Sequence, residues 1–109
     1  MKLSTIITTL ILIFCIFIII FIRVGELKGQ SMYPTIHDGE RLILVRAIMP
    51  SNLTGWIVTY EYDTILVLHR VLGDNGTHIL TKGDNNPKPE GWISKEKIMY
   101  LLVWHGKLW

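Results

Sequence analysis

Cysteine is almost absent from this chain of 109 residues. The single one, Cys15, lies inside an apolar run, which excludes an intrachain disulfide and a cysteine-based metal site. Excess charge is scarce too, since 11 Lys and Arg stand against 9 Asp and Glu, and the net charge of +2 predicts no nucleic-acid partner. No glycine-rich phosphate loop is present, and the histidines lack metal-ligand spacing, so we predict neither a cofactor nor a metal.

A long apolar run begins the chain. Leu3 to Ile22 holds no charge, Gly or Pro, and a helix of about 20 residues spans the roughly 30 Å hydrocarbon layer of a bilayer. A cleavable signal peptide is disfavoured because its apolar core is only about 7–15 residues long and residues 23–26 offer no A-x-A site. A buried core helix would need a larger domain. We predict a single-pass membrane anchor over residues 1–23 and one domain over residues 24–109.

Beyond the anchor, runs of β-forming residues alternate with turn signals. Asp74-Asn75-Gly76 predicts a hairpin between the third and fourth of these runs, and two prolines favour a loop over residues 83–91. The predicted fold is mainly β: a small antiparallel domain behind one N-terminal transmembrane helix. The strands are expected at Arg41–Val45, Trp56–Tyr62, Ile65–Leu72 and Thr77–Lys82, with Ile98–Trp104 as a final strand or short helix.

Four tryptophans are many for a domain of this size. They can fill the core or contact the membrane interface, where Trp is enriched. We expect Trp56 to lie in the core; the other three are Trp92, Trp104 and Trp109.

Three polar segments carry the residues that could perform chemistry. Ser31 lies between Gly29 and Pro34, in a sharply shaped loop that suits an exposed nucleophile whose own N–H faces a developing oxyanion. His69 lies in an apolar strand, and its neutral imidazole can accept a serine proton near neutral pH. Asp84 or Glu90 could hold that imidazole in the required tautomer.

Each segment has a plain structural interpretation when it is taken alone. A serine between Gly and Pro is usually a turn residue. A histidine on a strand face, here shared with Val67 and Val71 by alternation, is more often structural than catalytic. A polar loop most often has acidic residues that serve only its turns.

Taken together and in order, the segments resemble the type I signal peptidase family. GQSMYPTIHDGERLIL is similar to the nucleophile box in its bacterial form, LVLHRVLG to the box that carries the general base, and LTKGDNN to the acidic box of the endoplasmic-reticulum and archaeal branch, which uses Ser and His. His69 stands where the usual bacterial enzymes have Lys. Glu90 stands where the His-using branch commonly has Asp, and Gly29 stands where many relatives have a Ser that adds to the oxyanion hole.

The resemblance implies a membrane-bound serine endopeptidase that cleaves signal peptides from exported preproteins. Ser31 would be the nucleophile, His69 the general base, and Glu90 or Asp84 the third member. It also implies a catalytic domain on the extracytoplasmic or lumenal face, with preproteins and the lipid bilayer as partners. Other partner subunits stay open.

Other classes of function compete with this interpretation. A catalytically impaired, membrane-tethered β module could bind exported chains or a partner subunit. A self-cleaving repressor protease is disfavoured because those proteins are soluble and use Lys. A bare anchor or pore component is disfavoured because the apolar run has no charged residue for conduction.

Overall fold

The computed structural model describes residues 2–46 and 49–107, which form one helix and a seven-stranded antiparallel sheet. The elements are α1 (Leu3–Phe21), β1 (Ile22–Glu26), β2 (Arg41–Val45), β3 (Ile57–Tyr62), β4 (Ile65–Asp74), β5 (His78–Lys82), β6 (Gly91–Ser94), a 3-10 turn (Lys95–Lys97) and β7 (Ile98–Gly106). The strand order in the sheet is β1-β2-β7-β3-β4-β5-β6. The predicted fold, a small antiparallel β domain behind one apolar N-terminal helix, is confirmed.

Helix α1 is long and apolar enough to cross a membrane. None of its residues is buried against the rest of the protein, as expected for a helix whose apolar side chains face lipid. Its last residue, Phe21, is followed directly by β1, and the Phe21 carbonyl accepts a 3.1 Å hydrogen bond from the Arg46 amide just after β2. The helix therefore enters the sheet without a linker.

The predicted strands correspond to β2, β3, β4, β5 and β7, and the final segment is a strand rather than a helix. The predicted hairpin is formed by β4 and β5. Two edge strands were not predicted from the sequence: β1 and β6, which within residues 2–46 and 49–107 pair only with β2 and β5, respectively.

Apolar side chains cover both faces of the sheet in two separate clusters. Alternate residues of a strand point to opposite faces, so Ile57 and Val58 of β3 belong to different clusters. The first cluster packs the segment around Ser31 onto the sheet and contains Leu27, Met32, Ile36, Leu42, Leu44, Ile57, Leu68, Tyr100 and Leu102. The second contains Leu53, Val58, Tyr60, Val71, Ile79, Ile98 and Leu101.

The expectation that Trp56 lies in the core is wrong, because 39% of this residue is exposed. Its amide bonds to the Leu53 carbonyl in a turn, and β3 begins only at Ile57. Trp56 therefore precedes the alternating segment that fills the core. Trp92 is exposed and Trp104 is half-buried, while Trp109 lies outside the described residues.

Candidate active site

Ser31 lies in a turn from which two fully buried side chains pack against the sheet. Met32 follows it directly and Ile36 closes the turn, and both are 0% exposed. Gly29 has a φ of +98°, a left-handed conformation that favours glycine, and its amide donates to Asp38 at 2.6 Å. The predicted shape of this loop thus comes from Gly29 and from the buried residues beside Ser31. Ser31 itself is half-buried.

A second loop holds the Ser31 backbone from the other side. The Ser31 carbonyl accepts a 2.8 Å hydrogen bond from the Asn85 amide. A Cβ added to Gly83 would lie 2.7 Å from that same carbonyl oxygen and 2.7 Å from the side-chain nitrogen Nδ2 of Asn86. Gly83 is therefore required by close packing of the two loops.

His69 of β4 is 8% exposed and contacts Glu90. Its Nδ1 atom lies 2.8 Å from Oε1 of Glu90, a side chain that is 29% exposed. The same oxygen accepts hydrogen bonds from the Gly83 amide at 3.1 Å and from the Asn86 side chain at 3.2 Å. Glu90 is thus held by the loop that also contacts Ser31.

Burial lowers the pKa of His69, although the nearby carboxylates of Glu90 and Asp84 oppose this effect by favouring the charged imidazolium. The imidazole is therefore neutral at neutral pH. A proton on Nδ1 that is donated to Glu90 leaves a free lone pair on Nε2. Such an imidazole can act as a base.

Asp84 is paired with a different residue. Its two oxygens accept hydrogen bonds from Nε and Nη2 of Arg70, each at 2.9 Å, and one also accepts from the Thr35 hydroxyl at 2.6 Å. These hydrogen bonds, that of Arg70 first, lower the pKa of Asp84, and the same ion pair raises the pKa of Arg70. Asp84 therefore ties the loop after Ser31 to strand β4.

Ser31 and His69 both line one cleft, with a cavity volume of about 450 Å³. The lining is mainly apolar and comes from the first four strands and the segment that follows β1. Among the described residues, the Ser31 hydroxyl makes no hydrogen bond. The remaining lining residues are Gly25, Glu26, Leu27, Lys28, Leu42, Leu44, Thr59, Ile65, Leu66, Val67 and Leu68.

Sequence reasoning missed two polar residues beside His69. The Tyr60 hydroxyl lies 3.2 Å from Nδ1 of His69 and 3.0 Å from the Thr81 hydroxyl. The signal for Tyr60 was strand alternation, which places it on the same face as Val58. Thr81 precedes the GDN segment and carried no signal of its own. Within residues 2–46 and 49–107, no group of three His, Cys, Asp or Glu could hold a metal ion.

No family model matches the chain. The chain is 34% identical over 82 residues to signal peptidase I T of Bacillus subtilis (strain 168), in an alignment that covers 64% of this chain and 41% of that protein. The chain therefore spans less than half the length of the curated relative it matches. This similarity supports a relation to type I signal peptidases. The candidate site lies on an antiparallel sheet that follows one apolar helix.

Proposed function

We propose that this chain is a membrane-anchored serine endopeptidase of the signal peptidase I type that uses a Ser-His-Glu mechanism. The observation that carries the proposal is the contact of Glu90 with His69, 2.8 Å from Oε1 to Nδ1, beside a cleft that Ser31 also lines. The partial similarity to a signal peptidase I supports the substrate class, preproteins with signal peptides. Asp84 is assigned a structural role because Arg70 and Thr35 occupy its oxygens.

In the proposed reaction, Nε2 of His69 removes the hydroxyl proton of Ser31 as its oxygen attacks the scissile carbonyl. The C–N bond breaks, the proton passes to the leaving amine, and an acyl-enzyme ester remains. His69 then takes a proton from water as the water oxygen attacks the ester carbonyl. The C–O bond to Ser31 breaks, and the Ser31 oxygen takes that proton from His69, which restores the serine hydroxyl and the neutral imidazole. Glu90 keeps the other imidazole proton on Nδ1 throughout.

The oxyanion would form beside the backbone of Ser31. Among the described residues, no hydrogen bond uses the Ser31 amide, so this donor is available for the developing charge. The Gly29 amide is not available, because it donates to Asp38. We therefore propose that the Ser31 amide is the central donor of the oxyanion hole.

The cleft suits a substrate in extended conformation. In the part of the chain that the structure describes, β1 pairs only with β2, and Ile65–Leu68 pair only with β3. Both segments line the cleft and present unpaired backbone groups to an added strand. By similarity to signal peptidases, we expect small residues at the −1 and −3 positions of the substrate.

The anchor places the cleft close to the membrane surface. Residues Gly25 and Glu26 line the cleft and lie four and five residues after Phe21, the last helical residue, so roughly 13–17 Å of extended chain separates them from the helix end. A substrate whose apolar helix lies in the same bilayer would arrive at the cleft already oriented, on the extracytoplasmic or lumenal side. Such a restriction to two dimensions raises the effective concentration of the substrate.

Cleavage of a reporter preprotein with an Ala-x-Ala site, by the purified full-length chain in detergent, tests this function. We expect the wild type to cleave the reporter at one site, after the second Ala. We expect no cleavage by Ser31→Ala or His69→Ala. Ser51→Ala and His78→Ala serve as matched controls, since both residues are exposed and lie outside the cleft. A folded wild-type chain that leaves the reporter intact would favour the non-catalytic binding module.

A further inference from the structure

Two side chains compete for Nδ1 of His69. Oε1 of Glu90 lies 2.8 Å away and the Tyr60 hydroxyl 3.2 Å away. Nδ1 carries either a proton or a lone pair, so it cannot donate to Glu90 and accept from Tyr60 at the same time. The position of the Tyr60 proton therefore decides which nitrogen of His69 is protonated.

The Tyr60 proton has a second acceptor. Oγ1 of Thr81 lies 3.0 Å from the Tyr60 hydroxyl, and Thr81 is 0% and Tyr60 3% exposed. Burial raises the pKa of Tyr60, so its hydroxyl keeps its proton across the working range of pH. Among the described residues, this buried proton has two hydrogen-bonding partners within reach, Nδ1 of His69 and Oγ1 of Thr81.

The charge of Glu90 favours one of these two arrangements. If Tyr60 donates to His69, the Nδ1 lone pair faces a carboxylate oxygen at 2.8 Å, which is repulsive. If Tyr60 donates to Thr81, Nδ1 keeps its proton and makes a charge-assisted hydrogen bond with Glu90. Only the second arrangement leaves the Nε2 lone pair free for a serine proton.

We propose that Thr81 is a positioning residue that fixes the tautomer of His69 by accepting the proton of Tyr60. Among the described residues, no hydrogen bond joins Thr81 to His69, and the Tyr60 hydroxyl contacts both side chains. Without this acceptor, Nδ1 of His69 is the one hydrogen-bonding partner left for the Tyr60 hydroxyl among the described residues. The tautomer then shifts toward a proton on Nε2.

The test uses Thr81→Val, which keeps the side-chain shape and removes the acceptor, together with Tyr60→Phe and the double variant. Nitrogen-15 spectra of the histidine-labelled full-length chain at pH 8 report which nitrogen of the neutral ring carries the proton. His69→Ala identifies the His69 signals among those of the four histidines. We expect Nδ1–H in the wild type, a shift toward Nε2–H in Thr81→Val, and Nδ1–H again in the double variant.

The effect on cleavage rests on the proposed function. We expect Thr81→Val to lower kcat about tenfold or more as the competent tautomer becomes the minor one, and Tyr60→Phe to restore it in the double variant. Thr81→Ser, which keeps the acceptor, should match the wild type. A wild type that cleaves nothing would contradict the proposed function alone, since the spectra still report the tautomer.

Three results would overturn the proposal. The first is an unchanged His69 tautomer in Thr81→Val. The second is a double variant whose His69 tautomer is shifted as much as in Thr81→Val, which would show that Thr81 has only a structural role. The third is loss of Nδ1–H in Tyr60→Phe, which removes the competing donor and should leave Glu90 as the sole partner. The third result decides the matter even if Thr81→Val fails to fold.

Discussion

The carboxylate of Glu90 lies 2.8 Å from Nδ1 of His69, while the carboxylate of Asp84 is bound by Arg70. The two acidic residues of one loop therefore have different partners. One contacts the proposed base, and the other joins β4 to the segment after Ser31. This division leads to different expectations for the two substitutions.

Glu90→Gln should lower kcat by about 10²–10⁴, since a neutral amide no longer favours the required tautomer, with little change in stability. Asp84→Asn should instead lower the free energy of unfolding by about 1–3 kcal/mol, because it weakens the hydrogen bonds to Arg70. Cleavage kinetics and thermal melting of both variants measure the difference. If Asp84→Asn, and not Glu90→Gln, lost kcat at normal stability, Asp84 would be the catalytic acid and Glu90 the structural one.

The pH profile of kcat/KM should have an acid limb set by His69. Only the neutral imidazole accepts a proton, and burial lowers the pKa of His69 below its ordinary value of about 6.5. Activity should therefore persist at pH 6.5 and fall at lower pH. An acid limb centred above pH 7 would argue against His69 as the base, and His78→Ala is the control whose profile should not move.

Gly83→Ala should impair both folding and cleavage. The added Cβ would lie 2.7 Å from the Ser31 carbonyl oxygen, so the two loops must separate. We expect a loss of about 1–3 kcal/mol in the free energy of unfolding and a fall of about 10²-fold in kcat from displacement of Ser31. Gly25→Ala is the stability control, since its Cβ meets nothing within 4 Å. Equal stability of the two variants would contradict the close packing.

Asp74 should make stability depend on acid pH. Lys95, at 2.7 Å, and the amides of Leu53 and Gly76 lower the pKa of Asp74 to about 2. A depressed carboxyl pKa stabilises the fold above the unfolded value of 3.8, and this contribution is lost as pH falls toward 2. Melting temperatures of Asp74→Asn should lie below wild type at pH 7 and approach it near pH 2. A constant difference across that range would refute this role.

Much of the sheet could be predicted because its strands are short apolar runs between turns. Arg41–Val45 matches β2, and the turn at Asp74-Asn75-Gly76 lies between β4 and β5. β1 and β6 could not be predicted, because edge strands are partly exposed and lack the alternation that marks a strand with one buried face.

The sequence also identified the residues of the candidate site but not their pairing. The resemblance favours Glu90 over Asp84, but both stay candidates until the loop conformation directs Asp84 toward Arg70 and Glu90 toward His69. Tyr60 and Thr81 lie on separate strands, and the contacts of Tyr60 with the imidazole and with Thr81 depend on strand register. Register is set by tertiary packing, so it could not be derived from local pattern.

The central claim is that Ser31 is a nucleophile activated by His69, and its most direct test is covalent capture. The full-length chain in detergent would be treated with an alanine-rich peptidyl fluorophosphonate, which reacts with activated serines, and analysed by intact mass and peptide mapping. We predict one adduct, located on Ser31, that forms in Ser51→Ala and His78→Ala but not in Ser31→Ala, and far more slowly in His69→Ala. An adduct on another serine, or equal labelling of the His69→Ala variant, would contradict the account.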